Sequence, residues 1–173
     1  MPHWAQIVRQ HSPIVWQTAL RLLGNEPDAA DCLQETFLAA MRVAERQDVA
    51  NWPGMLQRVA TARALDLLRR RLLSRSRHAG GNDFQLVPSP EDSPVDHLQN
   101  DELAQSLANA LARLPPRQAE AYCLRHLNEL SYEEIARELD VSVDTIGADL
   151  HRARTRLREL LSPSCTNLNR GTP

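Results

Sequence analysis

The apolar positions of this chain recur at helical spacing and seldom alternate with polar ones. Residues 4–23 form one apolar stripe, in which Pro13 is expected to interrupt the helix. Further stripes cover residues 27–44 and 53–75, and a polar loop separates them. Val and Ile are too sparse to predict a sheet. The pattern therefore predicts an all-α protein that begins with a bundle of three helices.

A polar segment then breaks the periodicity. Residues 78–101 are rich in Gly, Pro, Ser and acidic side chains, and predict a flexible acidic linker. Beyond it, leucines return at helical spacing, at Leu103, Leu107, Leu111 and Leu114. We therefore expect two small helical domains, residues 1–77 and 102–161, joined by the linker at 78–101. Residues 162–173 are expected to be a disordered tail.

The second domain ends in a helix-turn-helix pattern. Ser131 and Glu134 have the spacing of a capping box, and Asp140 stands where a left-handed turn residue is needed. A second helix follows Ser142, with a buried stripe predicted at Ile146, Leu150, Ala153 and Leu157. Its cap and its outward positions would then contact DNA in a major groove, namely Ser142, Asp144, Thr145, Ala148, Asp149 and Arg152. An ordinary helical hairpin with a solvated, Arg-rich face is the alternative.

Two helices of the first domain carry candidate binding surfaces. The helix over 27–44 presents polar groups beside apolar ones, which is typical of a protein-docking surface, although a plain solvated face has the same spacing. The helix over 53–75 flanks an apolar stripe with arginines and follows an aromatic residue, Trp52. Such a helix can hold a phosphate backbone and offer a ring to a base. The alternative is that Trp52 is core and the arginines are solvated.

Charge and composition narrow the class of function. The net charge is −2, yet the 20 basic residues are all Arg and are concentrated at 63–77 and 152–158. Local fields of this kind attract a polyanion whatever the net charge. The cysteines Cys32, Cys123 and Cys165 are isolated, so we expect no disulfide framework, metal site or cofactor. There is no catalytic constellation and no run long enough to span a bilayer, so a cytoplasmic protein that is not an enzyme is expected.

Three stretches resemble one family in the same order. They are "DAADCLQETFLAAMR", "MLQRVATARALDLLRRR" and "LARLPPRQAEAYCLRHLNELSYEEIARELDVSVDTI…LHRARTRLREL". They are similar to regions 2 and 4 of the extracytoplasmic-function (ECF) sigma factors of bacterial RNA polymerase, over residues 4–77 and 102–161.

The resemblance implies a transcription-initiation subunit that binds core RNA polymerase and promoter DNA. Docking on the clamp coiled coil of the largest subunit is implied for Asp31, Gln34, Glu35, Phe37 and Met41. Recognition and melting of the minus-ten element is implied for Trp52, Arg58, Arg63, Asp66, Arg69, Arg70 and Arg71. Helix 143–159 would read the minus-thirty-five element. Further implied partners are the flap of the second-largest subunit and an anti-sigma factor. The free protein is expected to be a monomer. We expect no small-molecule substrate and no insertion into a membrane.

The chain departs from the family pattern at several positions. Met55 stands where a Trp is usual, Ala62 where an Asn is usual, and Glu129 where a Gly is frequent. Gly147, Ala148 and Asp149 replace a basic residue, Ser and Arg. The second helix therefore either reads an unusual sequence through Asp149, Thr145 and Arg152, or binds weakly, which we expect. A stand-alone or polymerase-docked helix-turn-helix regulator is the alternative function.

Overall fold

The structure, a computed structural model, describes residues 2–78 and 96–162, and within these ranges every regular element is a helix. The predicted all-α class is thus confirmed. The seven helices are α1 (Trp4–Leu23), α2 (Glu26–Ala44), α3 (Trp52–His78), α4 (Asp96–Arg113), α5 (Pro116–His126), α6 (Tyr132–Leu139) and α7 (Val143–Leu161). Most of the predicted linker and nearly all of the predicted tail lie outside the described residues.

Helix α1 is continuous through Pro13, so the predicted interruption is wrong. A proline inside a helix costs about 3 kcal/mol because it removes one backbone hydrogen bond and crowds the preceding turn. Val15 and Ala19, just beyond it, are fully buried, and their packing holds the helix together across that point. The helix ends at Gly24, whose φ of 72° allows its N–H to reach the Leu20 carbonyl at 2.9 Å.

Helices α1 and α2 pack against α3, and so do α4, α5 and α6 of the C-terminal half, whereas α7 packs against α4, α5 and α6. One buried cluster unites Leu22 of α1 and Leu65 of α3 with Leu111 of α4, Cys123 of α5 and Leu157 of α7. The two halves predicted from the sequence therefore share a hydrophobic core. The predicted domain boundaries themselves stay a prediction, and α4 already begins at Asp96, inside the expected linker.

The helix-turn-helix has the local geometry that its sequence predicts. Ser131 N–H donates to Glu134 Oε2 at 2.7 Å, and Glu134 N–H donates to Ser131 Oγ at 3.1 Å, which completes the capping box. Asp140 has the left-handed φ of 52°. Ser142 Oγ accepts from Thr145 N–H at 3.1 Å and so begins α7. The predicted stripe is buried at Ile146, Leu150, Ala153 and Leu157.

A second left-handed residue, Glu129, lies in the loop before α6 with a φ of 59°. Its neighbour Leu130 accepts a hydrogen bond from Arg125 Nη1 at 2.9 Å, which fixes the loop. A side chain in this conformation brings its Cβ close to the following carbonyl oxygen, at a cost of about 1–2 kcal/mol. This strain explains why a glycine suits the position.

We expect Glu129→Gly to stabilise the chain by about 0.5–1 kcal/mol, because relief of strain exceeds the added entropy of the unfolded glycine. Urea denaturation followed by circular dichroism measures the change. Glu133→Gly, in the first turn of α6, is the matched control and should destabilise by about 1 kcal/mol. A loss of stability in the Glu129 variant would contradict the claim that the left-handed conformation of Glu129 is strained.

Candidate nucleic-acid interface

One face of α2 presents acidic, amide and apolar side chains to solvent. Asp31, Gln34 and Glu35 are exposed, and Met41 is 39% exposed. Leu38 is 55% exposed and lies on the same face. Five residues are called the α2 patch below: Asp31, Gln34, Glu35, Leu38 and Met41.

Phe37 does not belong to this face, and its expected place among the docking residues is wrong. It is 8% exposed and packs in a buried cluster with Ile7, Met55 and Leu56. Positions 31, 34, 35 and 38 follow the i, i+3, i+4, i+7 spacing of one helical face, and position 37 falls outside it. The same spacing would have identified Leu38 from the sequence.

The arginines of α3 do not share one surface. Arg63 Nη1 lies 3.8 Å from Glu35 Oε2 of the α2 patch. Arg70 and Glu35 both line a groove between α2 and α3. Arg69 contacts Asp66 at 3.1 Å. Arg58 and Arg69 face α5, where both lie near Glu120. The predicted DNA-binding set therefore divides between the α2 side and the C-terminal side of α3.

Arg71 has a packing role that the sequence did not reveal. Its guanidinium pairs with Asp28, and its Nη1 donates to the Leu23 carbonyl at 3.4 Å, so it ties α3 to the junction of α1 and α2. Burial lowers the pKa of Arg71, and the neighbouring Arg75 adds to this effect. A DNA phosphate would have to compete with the contact to Asp28.

Trp52 lies at the start of α3 and is half-buried. Its ring makes an edge-to-face contact with Trp4, with ring centroids 5.3 Å apart and an interplanar angle of 84°. Both rings pack at the margin of the cluster that contains Phe37 and Met55. The described conformation thus favours the alternative in which Trp52 belongs to the core.

Helix α7 exposes a short polar face. Asp144 and Arg152 are exposed, and Thr145 and Ala148 are half-buried between them. The Ser142 hydroxyl is occupied by the helix cap and lies 2.8 Å from the Thr145 hydroxyl. Arg152 is therefore the principal cation among the residues predicted to read DNA on this helix.

Asp149 is buried, with 1% of its surface exposed, so the prediction that it points outward is wrong. It lies on the same side of α7 as Ile146, three residues earlier, and that side packs against α5. Its Oδ2 accepts from Arg117 Nε at 2.6 Å, and its Oδ1 lies 3.7 Å from Arg152 Nη1. In this conformation the carboxylate cannot reach a base. Sequence reasoning did not identify Arg117, because its partner lies 32 residues away.

The two cysteine thiols that the structure describes, Cys32 and Cys123, are unsuited to nucleophilic chemistry. Burial raises the pKa of Cys123 to about 12 and also raises that of Cys32, so both stay protonated near neutral pH. Cys165 lies outside the described residues. In the two described ranges, no group of three or more His, Cys, Asp and Glu side chains is placed to hold a metal ion.

A helical bundle joined to a helix-turn-helix with an arginine on its exposed face is an arrangement found in DNA-binding proteins. Residues 7–72 match the family described as sigma-70 region 2, and residues 104–157 match sigma-70, region 4. No helix among the described residues is long and apolar enough to cross a membrane.

The chain is similar to curated sigma factors over most of its length. It is 37% identical over 162 residues to the ECF RNA polymerase sigma factor SigE of Mycolicibacterium smegmatis, covering 94% of this chain and 63% of that protein. It is 31% identical over 161 residues to the RNA polymerase sigma-E factor of Streptomyces antibioticus, covering 90% and 83%.

A solved structure shares the fold. It is the sigma factor RpoE in complex with the anti-sigma factor NepR from Bartonella quintana, with 24% identity, a TM-score of 0.54, and coverage of 91% of this chain and 95% of that one. The family matches and the curated relatives show that the chain belongs to the ECF sigma factors of the sigma-70 family.

We predict that Arg117→Leu lowers the urea midpoint of unfolding, because it leaves Asp149 buried beside an apolar group. The double variant Arg117→Leu with Asp149→Leu should recover part of that loss, since no unpaired carboxylate remains. Arg113→Leu, at an exposed arginine at the end of α4, is the matched control and should have little effect. A double variant less stable than Arg117→Leu alone would contradict the pairing.

Proposed function

We propose that this chain acts as an RNA polymerase sigma factor that binds core polymerase and directs promoter-specific initiation. The observation that carries the proposal is the order of two sigma regions in one chain, one with an exposed docking face and one with a helix-turn-helix. A stand-alone DNA-binding regulator would need only the second region and would leave the α2 patch without a role.

The α2 patch is suited to binding a helical partner. Its exposed Leu38 and Met41 would be desolvated on contact, while Asp31, Gln34 and Glu35 form a polar rim. Apolar side chains within a polar rim are the usual anatomy of a protein interface. By the family resemblance, the partner is the clamp coiled coil of the largest polymerase subunit, and the flap of the second-largest subunit is a further contact.

Helix α7 would read the minus-thirty-five element weakly. Gly147 and Ala148 offer no side-chain donor, and the Asp149 carboxylate is turned into the fold. Arg152 then supplies a cation for a phosphate or a guanine, and Thr145 and Ala148 offer methyl groups for contact with thymine. This leaves the N-terminal half to contribute most of the binding at the promoter.

Strand opening would be driven by binding energy, without a catalysed reaction. Extruding a base from the duplex costs a few kcal/mol, which contacts to the open strand can offset. The arginines of α3 supply sequence-independent attraction for that strand. Such a protein would act in the cytoplasm as a monomer, and the relative solved with an anti-sigma factor supports control by a partner of that class.

The second candidate function is that of a regulator that docks on polymerase and recognises promoter sequence only weakly. The burial of Asp149 and the absence of donors at Gly147 and Ala148 favour it. It would bind core polymerase as tightly as a sigma factor does, but would direct no new transcript.

We expect Gln34→Ala with Glu35→Ala to weaken binding to core polymerase about ten-fold, because two rim contacts beside Leu38 are lost. Fluorescence anisotropy with labelled chain and purified core polymerase measures the affinity. Glu102→Ala with Gln105→Ala, an exposed pair on α4, is the matched control. Equal affinities for the two double variants would remove the docking role from the α2 patch.

We also expect Arg152→Ala to reduce the slope of log affinity against log salt by about 0.9, the loss of one phosphate contact. The measurement is binding of the polymerase complex to duplex promoter DNA over a series of salt concentrations. Arg158→Ala removes an arginine from a different side of α7 and should change the slope less. An unchanged slope in the Arg152 variant would count against α7 as the DNA-facing helix.

A further inference from the structure

A cavity of about 660 Å³ opens where the end of α1 meets the last turns of α3 and the middle of α4. It shares no residue with the α2 patch or with the exposed face of α7. One part of its lining is cationic and contains Arg21, Arg71 and Arg75. Another part is apolar and is formed by Leu22, Leu23, Ala104 and Ala108.

The three arginines converge on this cavity from two helices. Positions 71 and 75 are about one turn apart on α3, so both side chains lie on the same face, and Arg21 reaches the cavity from α1. Burial lowers the pKa of Arg71, and the neighbouring Arg75 lowers it further. In the lining only Asp101 of α4 opposes the three cations, which leaves a formal surplus of positive charge. A cleft lined mainly by one sign of charge concentrates ions of the opposite sign.

Two of the guanidinium groups are already held in place by the protein. Arg21 Nη1 donates to the Leu127 carbonyl at 2.9 Å. Arg71 pairs with Asp28 and donates to the Leu23 carbonyl at 3.4 Å. A guanidinium has five N–H donors, so these contacts leave others for a ligand. An anion would therefore meet fixed donors, and little side-chain ordering would be needed on binding.

The composition of the lining indicates the chemical class of the ligand. The forked donors of arginine match the oxygens of a phosphate group, which they can bind in pairs. The volume lies within the range of about 300–1,000 Å³ that is usual for small-molecule sites, and the apolar part of the lining could cover a ring. Asn25, Asp101 and Gln105 also line the cavity and could hydrogen-bond to hydroxyl groups of a sugar.

We propose that this cavity binds a phosphorylated small molecule of nucleotide size. Its phosphates contact Arg21, Arg71 and Arg75, and its ring lies against the apolar part of the lining. The inference goes beyond the proposed function, because binding requires neither polymerase nor promoter. A ligand in this position contacts α1, α3 and α4 together, so it stabilises the folded chain by mass action. The level of a metabolite would then act directly on the chain.

The test compares three probes on the free chain at constant ionic strength. ADP carries both a diphosphate and a ring, inorganic pyrophosphate carries the charge alone, and adenosine carries the ring and the sugar alone. We expect ADP to bind roughly ten-fold more tightly than pyrophosphate, because the ring adds apolar contact, and adenosine to bind more weakly than either. Isothermal titration calorimetry measures the affinities, and ADP should also raise the thermal midpoint of unfolding.

Variants of two neighbouring arginines identify the site. Arg75→Ala removes a cation from the lining and should weaken ADP binding roughly ten-fold. Arg77→Ala, the matched control, removes an exposed arginine from the same end of α3 that does not line the cavity, and should leave ADP binding almost unchanged. Ala104→Leu fills the apolar part without altering charge and should reduce the affinity for ADP more than that for pyrophosphate.

Three outcomes would overturn the proposal. The first is that ADP does not bind at millimolar concentration. The second is that Arg75→Ala and Arg77→Ala weaken ADP binding equally, which would indicate unspecific attraction to a basic helix. The third is that ADP binds no more tightly than pyrophosphate, which would exclude a site for a ring.

Oligo-dT separates a small-molecule site from part of a DNA-binding surface, since a DNA strand carries the same phosphate chemistry. We expect Arg75→Ala to leave the affinity for oligo-dT almost unchanged while the affinity for ADP falls. Fluorescence anisotropy with labelled oligo-dT measures the former. An equal loss of affinity for both probes would assign the cavity to DNA and would contradict the proposal.

Discussion

Helix α3 contributes buried side chains to two core clusters at once, and this double packing organises the molecule. Met55, Leu56 and Ala60 pack towards α1 and α2, whereas Leu65 and Leu68 join the cluster that includes α4, α5 and α7. The same helix carries the arginines that we propose contact promoter DNA. Burial of one helix by both halves therefore makes the fold depend on packing on both sides of α3.

The ion pair between Arg117 and Asp149 distinguishes α7 from a helix whose polar side chains all face DNA. A carboxylate with 1% of its surface exposed ties α7 to α5 instead of meeting a base. Gly147 and Ala148 have no polar side-chain atoms. Arg152 and Thr145 are therefore the principal polar side chains that this face of α7 could offer to DNA, apart from the cap. The proposed weak minus-thirty-five contact and the proposed polymerase-docking face are compatible, because docking would raise the local concentration of the DNA-binding half.

Local features of the fold were readable from the sequence, whereas contacts between distant residues were not. The capping box at Ser131, the left-handed Asp140 and the stripe from Ile146 to Leu157 follow from short-range spacing. Phe37 was placed among the docking residues by the family resemblance, whereas the helical spacing of α2 excludes it from the exposed face and includes Leu38. Asp149 and Arg71 depend on partners 32 and 43 residues away, Arg117 and Asp28, which no periodicity reveals. The shared core of the two halves was hidden for the same reason.

Run-off transcription of fragmented host genomic DNA by core polymerase, with and without the chain, tests the central claim most directly. The account predicts discrete new transcripts that appear only with the chain and share an upstream sequence, dominated by a minus-ten element. Stable polymerase binding without any new transcript would contradict the claim of promoter-directed initiation, and would identify the chain as a polymerase-docked regulator.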